Sequence, residues 1–473
     1  MFHVEQSNRL ERLAEKLAGY LGQDASPPLV PEIVAVPNRG MARWLSFELA
    51  DRLGICASVA FPTPNELLFD CFRLVLPDVP KGAAAGPDVT TWAIEAILRG
   101  RLDEETFGPV SAYVRPGGKA DPISDLRLHE LSRKLAEVFE QYPLYRPEWV
   151  RKWDEGECAI RGEDALEQGR ASDDLRADEK WQAELWRQLG KALPDTRWHF
   201  ARLSKDFSAA LKQAGSAKKL DSLPRRVFFF GTTSLAPSVI DALRDLGRHL
   251  DVRLFLLNPS RQLWSDIRSR REIARDKSGL APVEGHRLLA SLGTHVRELH
   301  EMLVDEGDGF DPDSPDFEDP GTDTLLRAIQ SDILDVVQAK DRVLLSEDDS
   351  VRLHVCHGPM REVEVLHDQL LAMFEADATL RPRDVVVLAP DIEAYAPAVQ
   401  AVFADRKRTS ADPPPLPFTI ADRSLVSEQP VVSTFFDLLE IAGGRFEAGS
   451  VLDLLECNAL RRRIGLDDTA GDV

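Results

Sequence analysis

The chain has 473 residues with 43% hydrophobic side chains, and its 58 Lys and Arg residues against 79 Asp and Glu residues leave a net charge of −21. The apolar content excludes a disordered polypeptide, and the length predicts about three domains, or fewer domains with insertions. Such a negative charge disfavours a free-standing nonspecific DNA binder, unless the acidic residues lie on outer faces and a basic channel lies inside. No run of about eighteen apolar residues suggests a membrane span and the first residues lack a signal-peptide pattern, so the sequence predicts a cytoplasmic protein.

The first 80 residues predict the opening part of an α/β domain. Leucines at helical spacing predict an amphipathic helix over 7–21. The apolar run from Glu32 to Val36 predicts a strand, which leads through the tight loop Pro37-Asn38-Arg39-Gly40 into a second helix. Residues 81–222 are rich in Trp, Leu and charged residues with two Pro/Gly-rich breaks, and they predict an all-helical insertion.

The α/β pattern resumes over 223–345. RRVFFFG and DVRLFLLNP are continuous apolar runs on either side of a helical pattern, which predicts strands of a parallel sheet buried on both faces. The acidic, proline-rich segment 305–323 can bury little surface, and we interpret it as an exposed loop and not as a metal or nuclease site.

A second α/β unit is predicted over 346–440. Its predicted strands are SVRLHVCHG at 350–358 and RPRDVVVLAPD at 381–391, each followed by a helical pattern. Residues 441–473 are helical in pattern and predict the start of a further helical insertion.

The cysteines are scattered, odd in number and without a CxxC pair. This pattern is typical of a reducing compartment and argues against a disulfide framework or a cysteine-rich zinc site. They are Cys56, Cys71, Cys158, Cys356 and Cys457.

Several strings resemble the RecC family of exodeoxyribonuclease V, and they occur in family order along almost the whole chain. They include SNRLERL at 7–13, GMARWLSFELADRLGI at 40–55, FPTPNELLFDCFRLVLPDVP at 61–80, FEQYPLYRPEWVRKW at 139–153, RWHFARL at 197–203, NPSRQLWSDI at 258–267 and the segments 354–403 and 416–424. The resemblance implies an α/β fold with two parallel-sheet domains of superfamily 1 helicase type (RecA-like, P-loop NTPase-type), neither with a functional phosphate loop, plus the all-helical insertion. Family members are longer and carry the rest of the second helicase-like half and a C-terminal domain.

The strand, loop and helix at 33–49 stand where a helicase carries its phosphate loop. A working loop needs GxxxxGK[ST], because glycine amides cradle the phosphates, the lysine reaches the terminal ones and the hydroxyl holds magnesium. The string here is VPNRGMARW, with one glycine and no GK[ST], and RRVFFFG is followed by two threonines in place of an acidic pair. The sequence therefore predicts no ATPase, no catalytic residue and no cofactor in this chain. The resemblance implies that ATP and Mg are used by RecB-like and RecD-like partner subunits.

The same loop is a candidate DNA contact. A helix N-terminus with Arg39 and Arg43 suits phosphates or guanine edges, although a plain helix cap with solvated arginines explains the pattern equally well. The resemblance implies a channel for single-stranded DNA in which residues of this region read the recombination hotspot Chi. The matched positions are Pro37, Asn38, Arg39, Arg43, Thr63, Phe69, Glu137, Val138, Glu140 and Phe200. Several differ in type from the family pattern, so the sequence that is read can differ, and Phe69 fits either a base-stacking or a core position.

The string His354-Val355-Cys356-His357 suggests a metal site. Strand alternation would place His354 and Cys356 on one face and His357 on the other, which argues against a shared tetrahedral ion. The resemblance implies instead that His357 and Arg361 face the DNA channel or a domain interface.

Two functions follow as hypotheses. In the first, implied by the resemblance, the chain is a non-hydrolysing subunit of the RecBCD helicase-nuclease. It guides single-stranded DNA from duplex ends at double-strand breaks and scans it for Chi, with RecB-like and RecD-like subunits as partners. In the second, the chain is an interaction scaffold that binds those partners without contacting DNA.

Overall fold

The computed structural model of the protein describes residues 1–23, 27, 29–77, 79–80, 86–118, 121–159, 172–213, 222–275, 285–304, 316–338, 347–404, 416–424 and 429–466. The chain forms two compact units, Met1–Asp348 and Asp349–Val473. No helix in these ranges is long and apolar enough to cross a membrane.

The first unit contains a five-stranded parallel sheet with the order β1-β5-β4-β2-β3. The strands are β1 (Phe2–Ser7), β2 (Glu32–Ala35), β3 (Val59–Ala60), β4 (Arg226–Phe230) and β5 (Asp251–Leu257). The predicted parallel sheet is confirmed here. β1 was not predicted, because it is a half-buried edge strand in which polar and apolar residues alternate. The helix predicted from residue 7 accordingly begins at Leu10.

Helices cover both faces of this sheet. Those that contact the sheet are α1 (Leu10–Gln23), α2 (Arg39–Leu53), α3 (Pro64–Val75), α9 (Phe200–Gln213) and α10 (Pro237–Gly247).

Alternation along β4 assigns its side chains to the two faces. Phe228 and Phe230 pack with buried leucines of α1 and α2, whereas Val227 and Phe229 pack with α3, α9 and α10. Because both faces are covered, the strand has to be apolar throughout, which explains the continuous run RVFFF.

The described residues between β3 and β4 are helical. They form α3, α4 (Pro87–Arg99), α5 (Gly108–Val114), α6 (Asp125–Tyr145), α7 (Pro147–Asp154), α8 (Ser172–Ala192) and α9, with short 3-10 turns at Glu105–Phe107 and Pro194–Trp198. From α4 onward these helices have their own aromatic core, in which Trp153 accompanies Phe107, Phe139 and Trp186. Its Nε1 donates to the buried Glu179 carboxylate at 2.9 Å.

The remaining helices of the first unit are α11 (Arg270–Arg275), α12 (Arg287–Leu292), α13 (Thr294–Val304) and α14 (Leu325–Leu334). The acidic segment 305–323, predicted to be an exposed loop, differs from that prediction where it is described. The Ser7 hydroxyl donates to the Asp316 carbonyl at 2.6 Å, and the Asn8 amide donates to the Glu318 carbonyl at 2.8 Å. The Asp316 carboxylate also pairs with Lys16. The end of the segment is therefore docked on β1 and α1, and residues 305–315 lie outside the described part.

The second unit is helical where it is described. Its helices are α15 (Pro359–Ala376), α16 (Ile392–Phe403), α17 (Pro430–Gly443), α18 (Ala448–Leu454) and α19 (Asn458–Ile464). The strands predicted at 350–358 and 381–391 are wrong for this structure, since neither segment is a strand and the second begins with a 3-10 turn, Pro382–Asp384. Their apolar composition is typical of strands, but a strand also needs a hydrogen-bonded neighbour, and none lies beside them among the described residues.

Candidate nucleic-acid interface

Three residues connect β2 to α2 at the carboxyl end of the sheet. Pro37 and Asn38 are exposed, and the Asn38 side chain caps α2 by accepting from the Met41 amide at 2.9 Å. The amide of Val36 donates to the Pro62 carbonyl at 2.9 Å, which aligns this connection with the start of α3. The connection is a short capped entry into a helix and is built by side-chain capping.

The exposed face of α2 carries a basic and aromatic stripe. Arg39, Arg43 and Phe47 follow one another at intervals of four residues, so they lie on the same helix face. All three are exposed, and the Arg43 guanidinium lies 6.0 Å from the centre of the Phe47 ring. Phosphates and unstacked bases are the groups that such a stripe suits.

Thr63 serves as the N-cap of α3. Its hydroxyl accepts from the Glu66 amide at 3.3 Å, and the Glu66 carboxylate accepts from the Thr63 amide at 2.7 Å. These hydrogen bonds from Thr63, together with the charge of Arg39, hold the pKa of Glu66 below its usual value. Thr63 is therefore a reciprocal capping residue, and Arg39 lies near the start of the same helix.

We expect Thr63→Ala to lower the free energy of unfolding by about 1 kcal/mol, because it removes the cap of α3. Urea denaturation followed by circular dichroism measures this change. Thr63→Ser retains the hydroxyl and is the matched control, which should stay within about 0.5 kcal/mol of the parent. An equal loss in both variants would contradict the capping role.

A cavity of about 810 Å³ lies within the first unit, next to α3. Helix α3 lines it with Glu66, Phe69, Asp70 and Arg73, which have the spacing of one helix face. The other walls come from one face of α6, which includes Glu140, from the start of α9 at Phe200, and from the 3-10 turn that ends at Trp198. Three of the predicted positions, Phe69, Glu140 and Phe200, are thus brought together.

The aromatic wall of the cavity is continuous with the core. Phe200 is only 3% exposed, and its ring centre lies 5.4 Å from that of Phe72 and 6.2 Å from that of Phe69. Phe69 is half-buried and packs against the same cluster. Both alternatives considered for Phe69 therefore hold in part, since one side of the ring is packed and the residue also lines the cavity.

The polar wall of the cavity is mainly acidic. Glu66, Asp70, Glu140 and Asp195 all line it. Arg73 is committed to the Asp70 carboxylate at 2.6 Å and to the Pro80 carbonyl at 3.1 Å. Desolvation, with a smaller contribution from nearby Glu137, raises the pKa of Glu140. Such a wall repels phosphates and offers acceptors to amino groups.

Other predicted positions on α6 lie away from this wall. Glu137 is exposed and pairs with Lys134 at 2.8 Å, and Val138 is half-buried; neither is among the described residues that line the cavity. Sequence reasoning also missed Arg73 and Trp198. The signal for Arg73 was its position four residues after Phe69 on a predicted helix face, and Trp198 lies within the RWHFARL string.

In the second unit, His357 and Arg361 lie at the start of α15 and both are exposed. Arg361 pairs with Glu364 at 3.0 Å, and Glu362 accepts from the Tyr395 hydroxyl at 2.6 Å, which raises the pKa of Tyr395. The alternation argument that separated His357 from His354 and Cys356 required a strand, which these residues do not form. In the parts of the chain that the structure describes, no group of three or more His, Cys, Asp or Glu residues is placed to hold a metal ion.

Comparison with known proteins gives two matching family models. One, described as the RecC N-terminal domain, matches residues 2–336, and the other, described as the fourth domain of the RecBCD enzyme subunit RecC, matches residues 428–472. The chain is 34% identical to the RecBCD enzyme subunit RecC of Escherichia coli strain K12, over 99% of this chain and 43% of that protein. It is 32% identical to the protein of the same name from Mycolicibacterium smegmatis, over 98% and 41%, and 31% identical to that of Haemophilus influenzae, over 98% and 44%. The chain therefore spans about two fifths of the length of these relatives.

Proposed function

The chain belongs to the RecC family, and from this premise we propose that it acts in the cytoplasm as a non-hydrolysing subunit of a RecBCD-type helicase-nuclease in DNA repair. In this proposal it has two units of the superfamily 1 helicase type and binds no nucleotide or metal itself. It guides single-stranded DNA from duplex ends and scans it for a Chi-like sequence. RecB-like and RecD-like subunits are its proposed partners and the users of ATP and Mg.

The observation that carries the proposal is the pairing of two surfaces in the first unit. The α2 stripe offers Arg39 and Arg43 to phosphates, and the cavity beside α3 offers aromatic rings and carboxylates to bases. Phosphate contacts position a strand, whereas base contacts supply sequence information. The separation of basic and acidic walls supports a strand that runs with its phosphates along α2 and its bases towards the cavity.

We expect the full chain to bind labelled oligothymidylate with an affinity that falls linearly as salt rises on a double logarithmic plot. Arg39→Ala together with Arg43→Ala should make that slope shallower by about 0.7 for each arginine removed. Arg248→Ala is the matched control, because this arginine is 63% exposed and pairs only locally with Asp245. Fluorescence anisotropy across a salt series measures the slopes, and an equal change in the control variant would contradict the assigned path.

Sequence reading is tested by selection from a pool of randomised single strands. Glu140 accepts hydrogen bonds and suits the amino group of cytosine, whereas a glutamine also donates. Glu140→Gln should therefore change the enriched base at one position and leave the salt slope unaltered. Enrichment of no sequence by the parent chain would remove the scanning part of the proposal and leave the guiding part.

The scaffold hypothesis has its own support in the net charge of −21 and in the exposed apolar residues of the second unit. Capture of a RecB-like subunit by a chain that shows no salt-dependent binding to single-stranded DNA would favour it. The same anisotropy series therefore decides between the two functions.

A further inference from the structure

The second unit has two apolar, strand-like segments that lie open to solvent. Residues 351–356 precede α15 and residues 385–389 precede α16. Leu353 is 89% exposed, Val355 is 92% exposed and Leu388 is 90% exposed. A continuous apolar run of this kind is typical of a parallel strand covered on both faces, so its exposure leaves the favourable burial unrealised.

A large cavity accompanies these segments. It measures about 870 Å³ and is lined by apolar side chains of α15 and α16, including Leu370, Phe374 and Phe403. Residues 385–389 and 416–422 form the rest of its wall. Folded interiors contain few voids larger than a water molecule, so the helices are arranged around a layer that the described residues do not supply.

The element order indicates what that layer is. An apolar segment, a helix, a second apolar segment and a second helix follow one another, as in a unit in which helices cover a parallel sheet. Between 347 and 404 and between 416 and 424 no residue is in a strand. Unpaired peptide groups in an extended apolar segment are a template for pairing with another strand.

We infer that the second unit accepts β-strands from a polypeptide equivalent to the part of its RecC relatives that this chain does not span. The length of the relatives selects this occupant, because each extends over more than half of its length beyond the matched region. The incoming strands pair with 351–356 and 385–389, and their apolar side chains fill the cavity. The inference does not depend on DNA binding.

Hydrogen exchange tests the inference on the full chain. In the free chain the amides of 351–356 and 385–389 should exchange rapidly. After co-expression with the part of the Escherichia coli relative that lies outside the aligned region, the two polypeptides should purify together, and the same amides should become protected by at least about tenfold. Failure to purify together, or a complex in which these amides remain fast, overturns the inference.

Val386→Pro and Val386→Ala form the matched pair of variants. Val386 is 77% exposed, and both changes shorten its side chain, but only proline removes the amide that a ladder uses. Proline should reduce capture by at least about tenfold and alanine should retain most of it. Leu29→Asp, at a residue that is 95% exposed in the first unit, should leave capture unchanged.

Two results of the same experiments point to other occupants. Slow exchange of 351–356 and 385–389 in the free chain, with dimers in sedimentation that Val386→Pro dissociates, would identify a second copy of this chain as the occupant and overturn the inference. Equal loss of capture with Leu29→Asp would show nonspecific apolar adhesion and would overturn it as well.

Discussion

Replacing Phe200 with alanine should lower the free energy of unfolding by about 3–5 kcal/mol, the cost of removing a buried aromatic ring. The ring is 3% exposed and joins the cores formed by α3 and α9, with its centre 5.4 Å from that of Phe72. Although the resemblance places Phe200 among DNA-reading positions, its packing makes it first a core residue. Urea denaturation measures the change.

Phe47→Ala is the matched control for this variant. Phe47 is 61% exposed on α2, so its removal should change the free energy of unfolding by no more than about 0.5 kcal/mol. If Phe200→Ala were as stable as the parent but bound oligothymidylate less tightly, the ring would contact DNA more than it supports the fold. The packing distances argue for the opposite order of effects.

Replacing Arg226 with leucine should destabilise the first unit by about 3–5 kcal/mol, because the change leaves the Glu32 carboxylate buried without its cation. The guanidinium donates to both Glu32 oxygens at 2.7 and 3.0 Å, and to the Tyr20 carbonyl at 2.9 Å. Their side chains are only 9% and 11% exposed. The pair joins β4 to β2, and the Tyr20 contact satisfies a carbonyl in the last turn of α1.

The double variant Arg226→Leu with Glu32→Leu is the control that isolates the pair. With both charges removed, the desolvation cost disappears, so most of the lost stability should return. The four proteins form a double-mutant cycle, and a coupling energy below about 0.5 kcal/mol would contradict a direct role of the ion pair. Arg226→Lys should be intermediate, because an ammonium group cannot make the bidentate contact.

The two units differ in how well their sequence patterns predict their structure. RRVFFFG forms β4 as predicted, because strands on both sides of it lie within the first unit. RPRDVVVLAPD is just as apolar and does not form a strand. The difference lies in the neighbours, since a single segment encodes burial but not the hydrogen-bonded partner that makes it a strand.

The candidate site shows the same division of information. The Thr63 cap could be predicted from the Thr-x-x-Glu spacing, and the α2 stripe from the spacing of Arg39 and Arg43, because both depend on residues within two turns of one helix. The cavity could not be predicted in this way, because its walls come from α3, α6 and α9, which are far apart in the chain.

By itself the sequence determined the family, the parallel α/β character of the first unit and the absence of a GK[ST] string, since these depend on residue order and local periodicity. Only the tertiary structure decided that Phe200 is buried, that Thr63 is a cap, that Asp316 and Glu318 are docked, and that 351–356 and 385–389 are open. Each of these outcomes depends on which distant segments meet. Local pattern sets what a segment can bury or bond, and long-range contact sets whether it does so.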